Sequence, residues 1–211
     1  MKDLDTAFYL TGGTALSRGY YNHRFSDDLD FFTNANPNYL SLVKKFLQKI
    51  NQSENYRINR NLNYQINDDF SRFFLEFKQK NNDTILKVDF VNDIEVYYGR
   101  IVKNNHFGKI DNVENILINK ITALTRFEPK DIADIWIISK NHPFCWKDIL
   151  HKAKQKDAGV NEEEASGIIK NFPPTLLDKI RWNIVIDKAL FLEDVSKIAK
   201  EMLKGTDNSL F

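Results

Sequence analysis

Cysteine and long apolar runs are nearly absent from this sequence, and each absence excludes a class of protein. Cys145 is the one cysteine among 211 residues, which excludes an internal disulfide and a zinc site built from several cysteines. No apolar run approaches the roughly 18 residues that a membrane-spanning helix needs. The opening stretch MKDLDTAFYL has no basic segment leading into a long apolar one, so no secretion signal is predicted. We therefore expect a cytoplasmic protein with no membrane partner.

An excess of charge of one sign is also lacking. The formal net charge is +1, so no global positive field points to nucleic acid, and such a partner would need a local basic patch. What the sequence does contain is apolar material. Hydrophobic residues make up 42% of the chain and aromatic residues 13%, which is enough for a sizeable core.

The hydrophobic period changes along the chain and predicts an α+β fold. Alternating aromatic and β-branched residues predict strands, and a three-to-four-residue spacing predicts one early helix over 37–50. The predicted strands cover residues 7–10, 29–32, 56–66, 70–77 and 85–91, with an edge strand over 101–107. Asn81-Asn82-Asp83 is a turn sequence, so the strands on either side of it are expected to pair antiparallel.

After about residue 112 the pattern becomes helical. Helices are predicted over 113–127, 130–140, 146–156, 162–170, 175–182 and 193–203. We therefore predict a mixed or antiparallel sheet with helices over residues 1–110, followed by a helical subdomain over 111–211.

The stretch FYLTGGTALSRGYYNHRFSDDLDFF, which covers residues 8–32, places carboxylates inside a predicted strand. Asp28 and Asp30 lie two apart and so share one face of that strand, and Asp89 shares a face with Lys87 in LKVDFVN. If these strands are neighbours, the three carboxylates converge, and a nearby cation must offset their charge. Carboxylate oxygens suit Mg²⁺, and paired metal ions serve phosphoryl and nucleotidyl transfer.

The glycine pair that follows the first strand fits the same chemistry. Gly12 and Gly13 allow the main chain to approach a phosphate closely, and a helix predicted to begin at Thr14 would present free N–H groups to an anion. Ser26 could add a hydroxyl group. No Lys-Ser or Lys-Thr pair follows the glycines at the spacing of a P-loop.

Two stretches carry a family resemblance. GGTAL followed by HRFSDDLDFF resembles the signature of the DNA polymerase beta nucleotidyltransferase superfamily, and more narrowly that of the AbiEii-type toxin nucleotidyltransferases. The later stretch VENILINKITALTRFEPKDIADIWII is similar to a helical segment of that family. Its matching positions are Lys120, Ala123, Leu124, Arg126, Lys130, Asp131 and Asp134. The resemblance covers residues 7–140.

The resemblance implies roles for individual residues. Asp28 and Asp30 would bind the metal ions, Mg²⁺ or Mn²⁺, and Asp89 would complete the catalytic set. If Asp89→Asn kept near-normal transfer, Glu76 or Asp93 would be the next candidate for the third ligand. The residues implied in nucleotide binding are Gly12, Gly13, Thr14, Arg24, Ser26 and Lys120, with Arg24 and Lys120 acting as countercharges to the triphosphate.

The activity implied is transfer of a nucleoside monophosphate from an NTP to a hydroxyl group of a macromolecule, either the tRNA 3′ end or a protein. The protein would then be the toxin of a toxin–antitoxin or phage-defence pair, with a cognate antitoxin as partner. Two other readings stay open at this point: an antibiotic nucleotidyltransferase and a non-catalytic module that binds a nucleotide or a partner protein.

Overall fold

The computed structural model describes residues 7–78 and 83–211, which fall into two compact units. The first contains the described residues up to Ala15 together with Ser26–Asp111, and the second contains Leu16–Phe25 together with Asn112–Phe211. The change of unit after Asp111 lies beside the predicted boundary. The sequence pattern gave no sign that residues 16–25 belong with the C-terminal part.

The first unit is built on a mixed β-sheet, which confirms the predicted fold class. Its strands are β1 (Tyr9–Thr11), β2 (Asp28–Asn34), β3 (Tyr56–Ile58), β4 (Gln65–Ile66), β5 (Phe70–Lys78), β6 (Asp83–Asp93), β7 (Val102–Asn104) and β8 (Gly108–Ile110). They lie in the order β3-β5-β6-β2-β1-β8-β7, and β4 pairs with β5. The pairs β2–β6 and β1–β8 are parallel, and the other pairs are antiparallel.

The predicted antiparallel pairing of β5 with β6 is confirmed, whereas the predicted turn at residues 81–82 lies outside the described residues. The predicted strand over 56–66 is in fact two short strands, β3 and β4. The Asn59 side chain accepts a hydrogen bond from the main-chain N–H of Asn61 at 2.9 Å, and such a turn interrupts a strand.

Aromatic packing decides which face of the sheet is buried. Helix α2 (Tyr39–Asn51) buries Tyr39, Val43 and Phe46, and the Phe46 ring lies 4.8 Å from the ring of Phe90 on β6. The Tyr39 hydroxyl donates to the Phe90 carbonyl at 2.9 Å. Because successive side chains of a strand point to opposite faces, Asp89, which precedes Phe90 on β6, lies on the face away from α2.

The second unit is helical. Its helices are α3 (Val113–Thr122), α4 (Pro129–Asn141), α5 (Trp146–Lys156), α6 (Glu162–Lys170) and α7 (Lys188–Lys204), with 3₁₀ turns at Leu124–Arg126 and Pro174–Lys179. A short helix α1 (Gly12–Thr14) belongs to the first unit and is followed by a π-helical segment, Ala15–Tyr21, which belongs to the second unit from Leu16 onward. Within the described ranges, no helix combines the length and the apolar character needed to cross a membrane.

Helix α7 and the predicted helix over 175–182 differ from prediction for local reasons. Helix α7 begins at Lys188 rather than near residue 193, because the Asp187 side chain caps it by accepting from the N–H groups of Ala189 and Leu190 at 2.9 and 3.2 Å. The predicted helix over 175–182 is instead a 3₁₀ segment, Pro174–Lys179, that begins at the second residue of the Pro173-Pro174 pair.

Candidate active site

Four neighbouring strands bring a row of polar side chains together on one face of the sheet. Thr11 of β1 lies opposite Asp30 of β2, Asp30 lies opposite Asp89 of β6, and Asp89 lies opposite Arg72 of β5. Residues directly opposite each other on paired strands point to the same face. Two of the three predicted carboxylates are therefore direct cross-strand neighbours. We call Asp28, Asp30 and Asp89 the carboxylate row.

Two cations, Lys87 and Arg72, pair with the carboxylate row. Lys87 lies opposite Asp28, and its Nζ is 2.9 Å from Asp28 Oδ2 and 3.7 Å from Asp89 Oδ2. Arg72 donates from Nε to Asp89 Oδ1 and from Nη2 to Asp89 Oδ2, each at 2.7 Å. Both oxygens of Asp89 therefore accept hydrogen bonds from one guanidinium group, which is a strong bidentate pairing.

The pKa values of the two cations respond to the carboxylates. Partial burial alone would lower the pKa of Lys87, but the hydrogen bond to Asp28 and the charges of Asp28, Asp89 and Asp30 outweigh it and raise that pKa above its usual value. The hydrogen bonds to Asp89 likewise raise the pKa of Arg72. Both side chains are therefore charged at neutral pH, and they offset part of the negative charge of the row.

The carboxylates of the row are suitable ligands for a divalent cation, but their side chains would have to rearrange to bind one. Three carboxylates on adjoining strands are hard oxygen donors of the kind that Mg²⁺ and Mn²⁺ prefer. In the described part of the chain, however, no three His, Cys, Asp or Glu side chains are grouped so that they could hold a metal ion as they stand. Lys87 and Arg72 occupy carboxylate oxygens that an ion would need. The assignment of these three residues as metal ligands remains a prediction.

Gly12 lies directly beside the carboxylate row. Its φ is +66°, a left-handed conformation that favours glycine, and a Cβ atom at this position would lie 3.0 Å from Asp30 Oδ2. The helix begins here, two residues before the predicted start at Thr14. Gly13, the second glycine, is buried. Gly12 thus brings the main chain against the Asp30 carboxylate. The close approach of the glycine pair to a phosphate stays a prediction.

Thr14 and Ser26 brace the start of β2. The Thr14 hydroxyl is hydrogen-bonded to the Ser26 hydroxyl at 2.8 Å and to the main-chain carbonyl of Asp28. Thr14 is buried, with 3% of its surface exposed, whereas Ser26 is half-buried. These contacts fix the main chain from which Asp28 and Asp30 project.

The two predicted countercharges, Arg24 and Lys120, belong to the second unit and pair there with Asp134 of α4. Arg24 donates from Nε and Nη2 to the two Asp134 oxygens, each at 2.7 Å. His23 Nε2 lies 2.8 Å from Asp134 Oδ1, and Lys120 Nζ lies 2.7 Å from Asp134 Oδ2. Lys120 also pairs with Asp131. We call these five residues the Asp134 cluster.

Burial and ion pairing act in opposite directions on this cluster. Asp134 is fully buried, which alone would raise its pKa, but Lys120, His23 and Arg24 hold the pKa well below its usual value. Burial would lower the pKa of Lys120, and Asp134 and Asp131 raise it instead. The side chains of Asp134 and Lys120 are therefore both charged near neutral pH.

Arg72 and Lys87 are the site residues that sequence reasoning did not assign. The alternation in LKVDFVN indicates that Lys87 shares a face with Asp89, and FSRFFLEF shows one arginine in an apolar strand. Neither pattern reveals which strands are neighbours.

Of the alternative third carboxylates, Glu76 pairs with Arg57 and Asn59, and Asp93 lies opposite Asn34 at the far end of β6.

Comparison with known proteins gives a match over almost the whole chain. The family model described as nucleotidyl transferase AbiEii toxin, type IV TA system, matches residues 2–208. An uncharacterized protein of Aquifex aeolicus (strain VF5) is 25% identical over 205 residues, which cover 93% of this chain and 86% of that protein.

Two solved structures have a similar fold. The crystal structure of a proposed nucleotidyltransferase from H. pylori has a TM-score of 0.63 at 21% identity, covering 95% of this chain and 88% of that chain. The crystal structure of JHP933 from Helicobacter pylori has a TM-score of 0.58 at 20% identity, covering 95% and 85%. At this level of identity both likenesses concern the fold.

Proposed function

The chain belongs to the AbiEii nucleotidyl transferase toxin family of type IV toxin–antitoxin systems, and from this premise we propose that it transfers a nucleoside monophosphate from an NTP to a hydroxyl group of a macromolecule. One observation carries the proposal. Asp30 and Asp89 are in register on the adjacent parallel strands β2 and β6, and Asp28 shares their face. This arrangement gathers, on one face of the sheet, the hard oxygen donors that divalent ions prefer.

In this proposal the carboxylates bind the metal ion, and the glycine loop and the basic residues bind the triphosphate. Asp28, Asp30 and Asp89 hold Mg²⁺ or Mn²⁺, which supplies charge stabilisation to the phosphates when bound. Gly12 and Gly13 let the main chain meet the triphosphate, with Thr14 and Ser26 supporting that loop. Arg24 and Lys120 remain the proposed countercharges by resemblance, and their pairing with Asp134 gives both a second, stabilising role.

The acceptor in this proposal is the tRNA 3′ end or a protein side chain, and the toxin acts against the cell unless a cognate antitoxin counters it. Both acceptors and the NTP donor are available in the cytoplasm, where we place the protein.

The test is a transfer assay with isotope at the α-phosphate. The protein is incubated with Mg²⁺ and each NTP in turn, with tRNA, lysate protein or a hydroxylated antibiotic as acceptor. Label on RNA or on protein supports the proposal and identifies the acceptor class, whereas label on the antibiotic alone supports the antibiotic-modifying alternative. With tRNA or the antibiotic as acceptor, the same NTP labelled at the γ-phosphate must leave the acceptor unlabelled, because that phosphate departs with pyrophosphate. With lysate protein, the γ-labelled NTP must give no more label than lysate alone. No transfer from any α-labelled NTP contradicts the proposal.

A matched pair of variants assigns the transfer to the carboxylate row. Asp30→Asn removes one charge of the row and is expected to abolish labelling. Asp68→Asn makes the same chemical change at an exposed position between β4 and β5 and is expected to label at the wild-type rate. Equal rates for the two variants would show that labelling does not depend on the row.

A further inference from the structure

Lys87 has an unusual position for a residue beside proposed metal ligands. Its Nζ lies within 2.9 Å of Asp28 Oδ2 and 3.7 Å of Asp89 Oδ2, so one ammonium group spans two of the three carboxylates. About a quarter of its side chain, 27%, is exposed, compared with 45% for Asp28. A positive charge thus already lies where a divalent ion would have to bind.

Arg72 strengthens the same arrangement from the other side of Asp89. Its two donors engage both Asp89 oxygens at 2.7 Å, and Asp89 itself is buried, with 5% of its surface exposed. A metal ion that took Asp89 as a ligand would have to displace or share a bidentate, charge-assisted pairing. Together, Lys87 and Arg72 offset two of the three carboxylate charges.

We propose that Lys87 is a resident countercharge that competes with divalent ions for Asp28 and Asp89, so that without nucleotide the carboxylate row accepts one divalent ion and not two. Lys87 acts as a positioning residue: it holds two carboxylates in place and sets how many ions they accept. The proposal rests on the proposed function, since it concerns the same carboxylates.

The physical reason is that two cations cannot share one small set of oxygens cheaply. An ammonium group and a divalent ion a few ångströms apart repel each other, and the repulsion is strongest at the buried Asp89 and weaker at the more exposed Asp28. Replacing Lys87 by an uncharged side chain of similar length removes this repulsion and frees oxygens of Asp28 and Asp89. Ion binding should then become tighter, and a second ion should become admissible.

The experiment measures ion binding without activity. The full chain is titrated with Mn²⁺ in the absence of nucleotide, and free Mn²⁺ is followed by electron paramagnetic resonance. The wild type is expected to bind one Mn²⁺ weakly. Lys87→Met is expected to bind on the order of 10-fold more tightly, as loss of a nearby like charge implies, or to bind two ions. Lys87→Arg keeps the charge and is expected to resemble the wild type.

The control is Lys103→Met, which removes the same charge from an exposed position on β7 in the same unit. It is expected to leave Mn²⁺ binding unchanged. Thermal melting checks that each variant is folded, and Lys87→Gln replaces Lys87→Met if the latter melts early.

Three outcomes overturn the proposal: two ions bound to the wild type, binding to Lys87→Met and Lys87→Gln that equals the wild type, or no Mn²⁺ binding to any of these proteins. Failure of this proposal can be distinguished from failure of the proposed function, because nucleotide transfer is measured in a separate experiment, by the label that the NTP leaves on the acceptor. A protein that transfers label and binds two ions refutes only the role of Lys87.

Discussion

At the scale of single residues, Gly12 is the position where the main chain and the carboxylate row meet. Two independent constraints apply there: the left-handed φ of +66° and the 3.0 Å that would separate a Cβ atom from Asp30 Oδ2. Gly108 has a similar φ of +79°, but a Cβ atom there would meet nothing within 4 Å. Substituting each glycine by alanine therefore distinguishes two effects: backbone strain, which both substitutions cause, and crowding of the Asp30 carboxylate, which only the substitution at Gly12 causes.

We predict that Gly12→Ala removes nucleotide transfer while Gly108→Ala preserves it. Both variants carry the strain of an alanine at positive φ, roughly 1 to 2 kcal/mol, so their melting temperatures should fall by comparable amounts. Gly12→Ala alone pushes a methyl group against the Asp30 carboxylate and displaces it. The measurements are melting curves and single-turnover labelling of the acceptor. Full transfer by Gly12→Ala would show that the position of Asp30 tolerates the methyl group.

Features that depend on a single strand could be predicted from the sequence. Alternation correctly indicated that Asp28 and Asp30 share a face, and the resemblance led to the family that the comparisons confirm. The roles of Lys87 and Arg72 were not predictable in this way. Each acts across a strand pair, and the register between β2, β5 and β6 is a tertiary property that no local period encodes.

At the scale of elements, the Asp134 cluster ties a segment from the start of the chain to α3 and α4. Residues 16–25 supply His23 and Arg24, α3 supplies Lys120, and α4 supplies Asp131 and Asp134. Buried charges are costly unless paired, and removing one partner leaves the others uncompensated. The cluster explains why Leu16–Phe25 groups with the helices rather than with the sheet.

We predict that Asp134→Asn lowers the free energy of unfolding by about 3 to 5 kcal/mol, the usual cost of breaking a buried ion pair. Asp178→Asn is the control, because Asp178 forms an exposed pair with Lys188, and such pairs contribute roughly 0 to 1 kcal/mol. Urea unfolding at neutral pH measures both. Equal losses for the two variants would mean that the cluster adds no more stability than a surface pair.

The same cluster predicts a direction for the pH dependence. The pKa of Asp134 is lowered in the folded protein from its ordinary value of 3.8, so its contribution is present above that value and is lost as pH falls through the lower folded pKa. The stability difference between the wild type and Asp134→Asn should therefore shrink as the pH falls from about 5 to about 3. Urea unfolding across that range measures it. A difference that grew on acidification would contradict the assigned sign.

Lys120 on α3 allows the stabilising role to be separated from the proposed nucleotide contact. Lys120→Met should lower stability, and if Lys120 also contacts the triphosphate, kcat/KM for the NTP should fall by on the order of 10- to 100-fold, as loss of a charge-assisted bond implies. Lys156→Met is the matched control: Lys156 is equally buried on α5 and donates to Asn119 at 2.8 Å. It should lower stability and leave kcat/KM near the wild-type value. Equal kcat/KM for both variants would limit Lys120 to a structural role.

Elements with a regular period were predictable, and those set by special backbone geometry were not. Helices α5 and α6 have the bounds that their spacing predicts. The π-helical segment Ala15–Tyr21 could not be read from sequence, because its residues show the same apolar spacing as an α-helix. Strand β8 is three residues long, and its parallel pairing with β1 is a contact between distant parts of the chain.

At the scale of the whole molecule, the family match includes the helical unit as well as the sheet. It runs over residues 2–208, so the C-terminal helices beyond residue 140, which carried no recognised motif, are part of the family's chain. The near-neutral net charge of +1 gives no general attraction to RNA or membranes. A general electrostatic attraction to these polyanions is therefore not the expected source of toxicity.

We predict that expression of the whole chain slows bacterial growth and that Asp30→Asn abolishes this effect. The reason is that family membership implies a toxin, and we expect loss of a carboxylate of the row to stop transfer. The change does not touch the core, because Asp30 is half-buried on the face away from α2. Growth curves after induction measure the effect, with immunoblots showing equal amounts of protein. Asp68→Asn, exposed in the same unit, should remain as toxic as the wild type. If Asp30→Asn slowed growth as strongly as the wild type at equal protein levels, toxicity would have to arise from binding or misfolding, and the catalytic explanation of the row would be wrong.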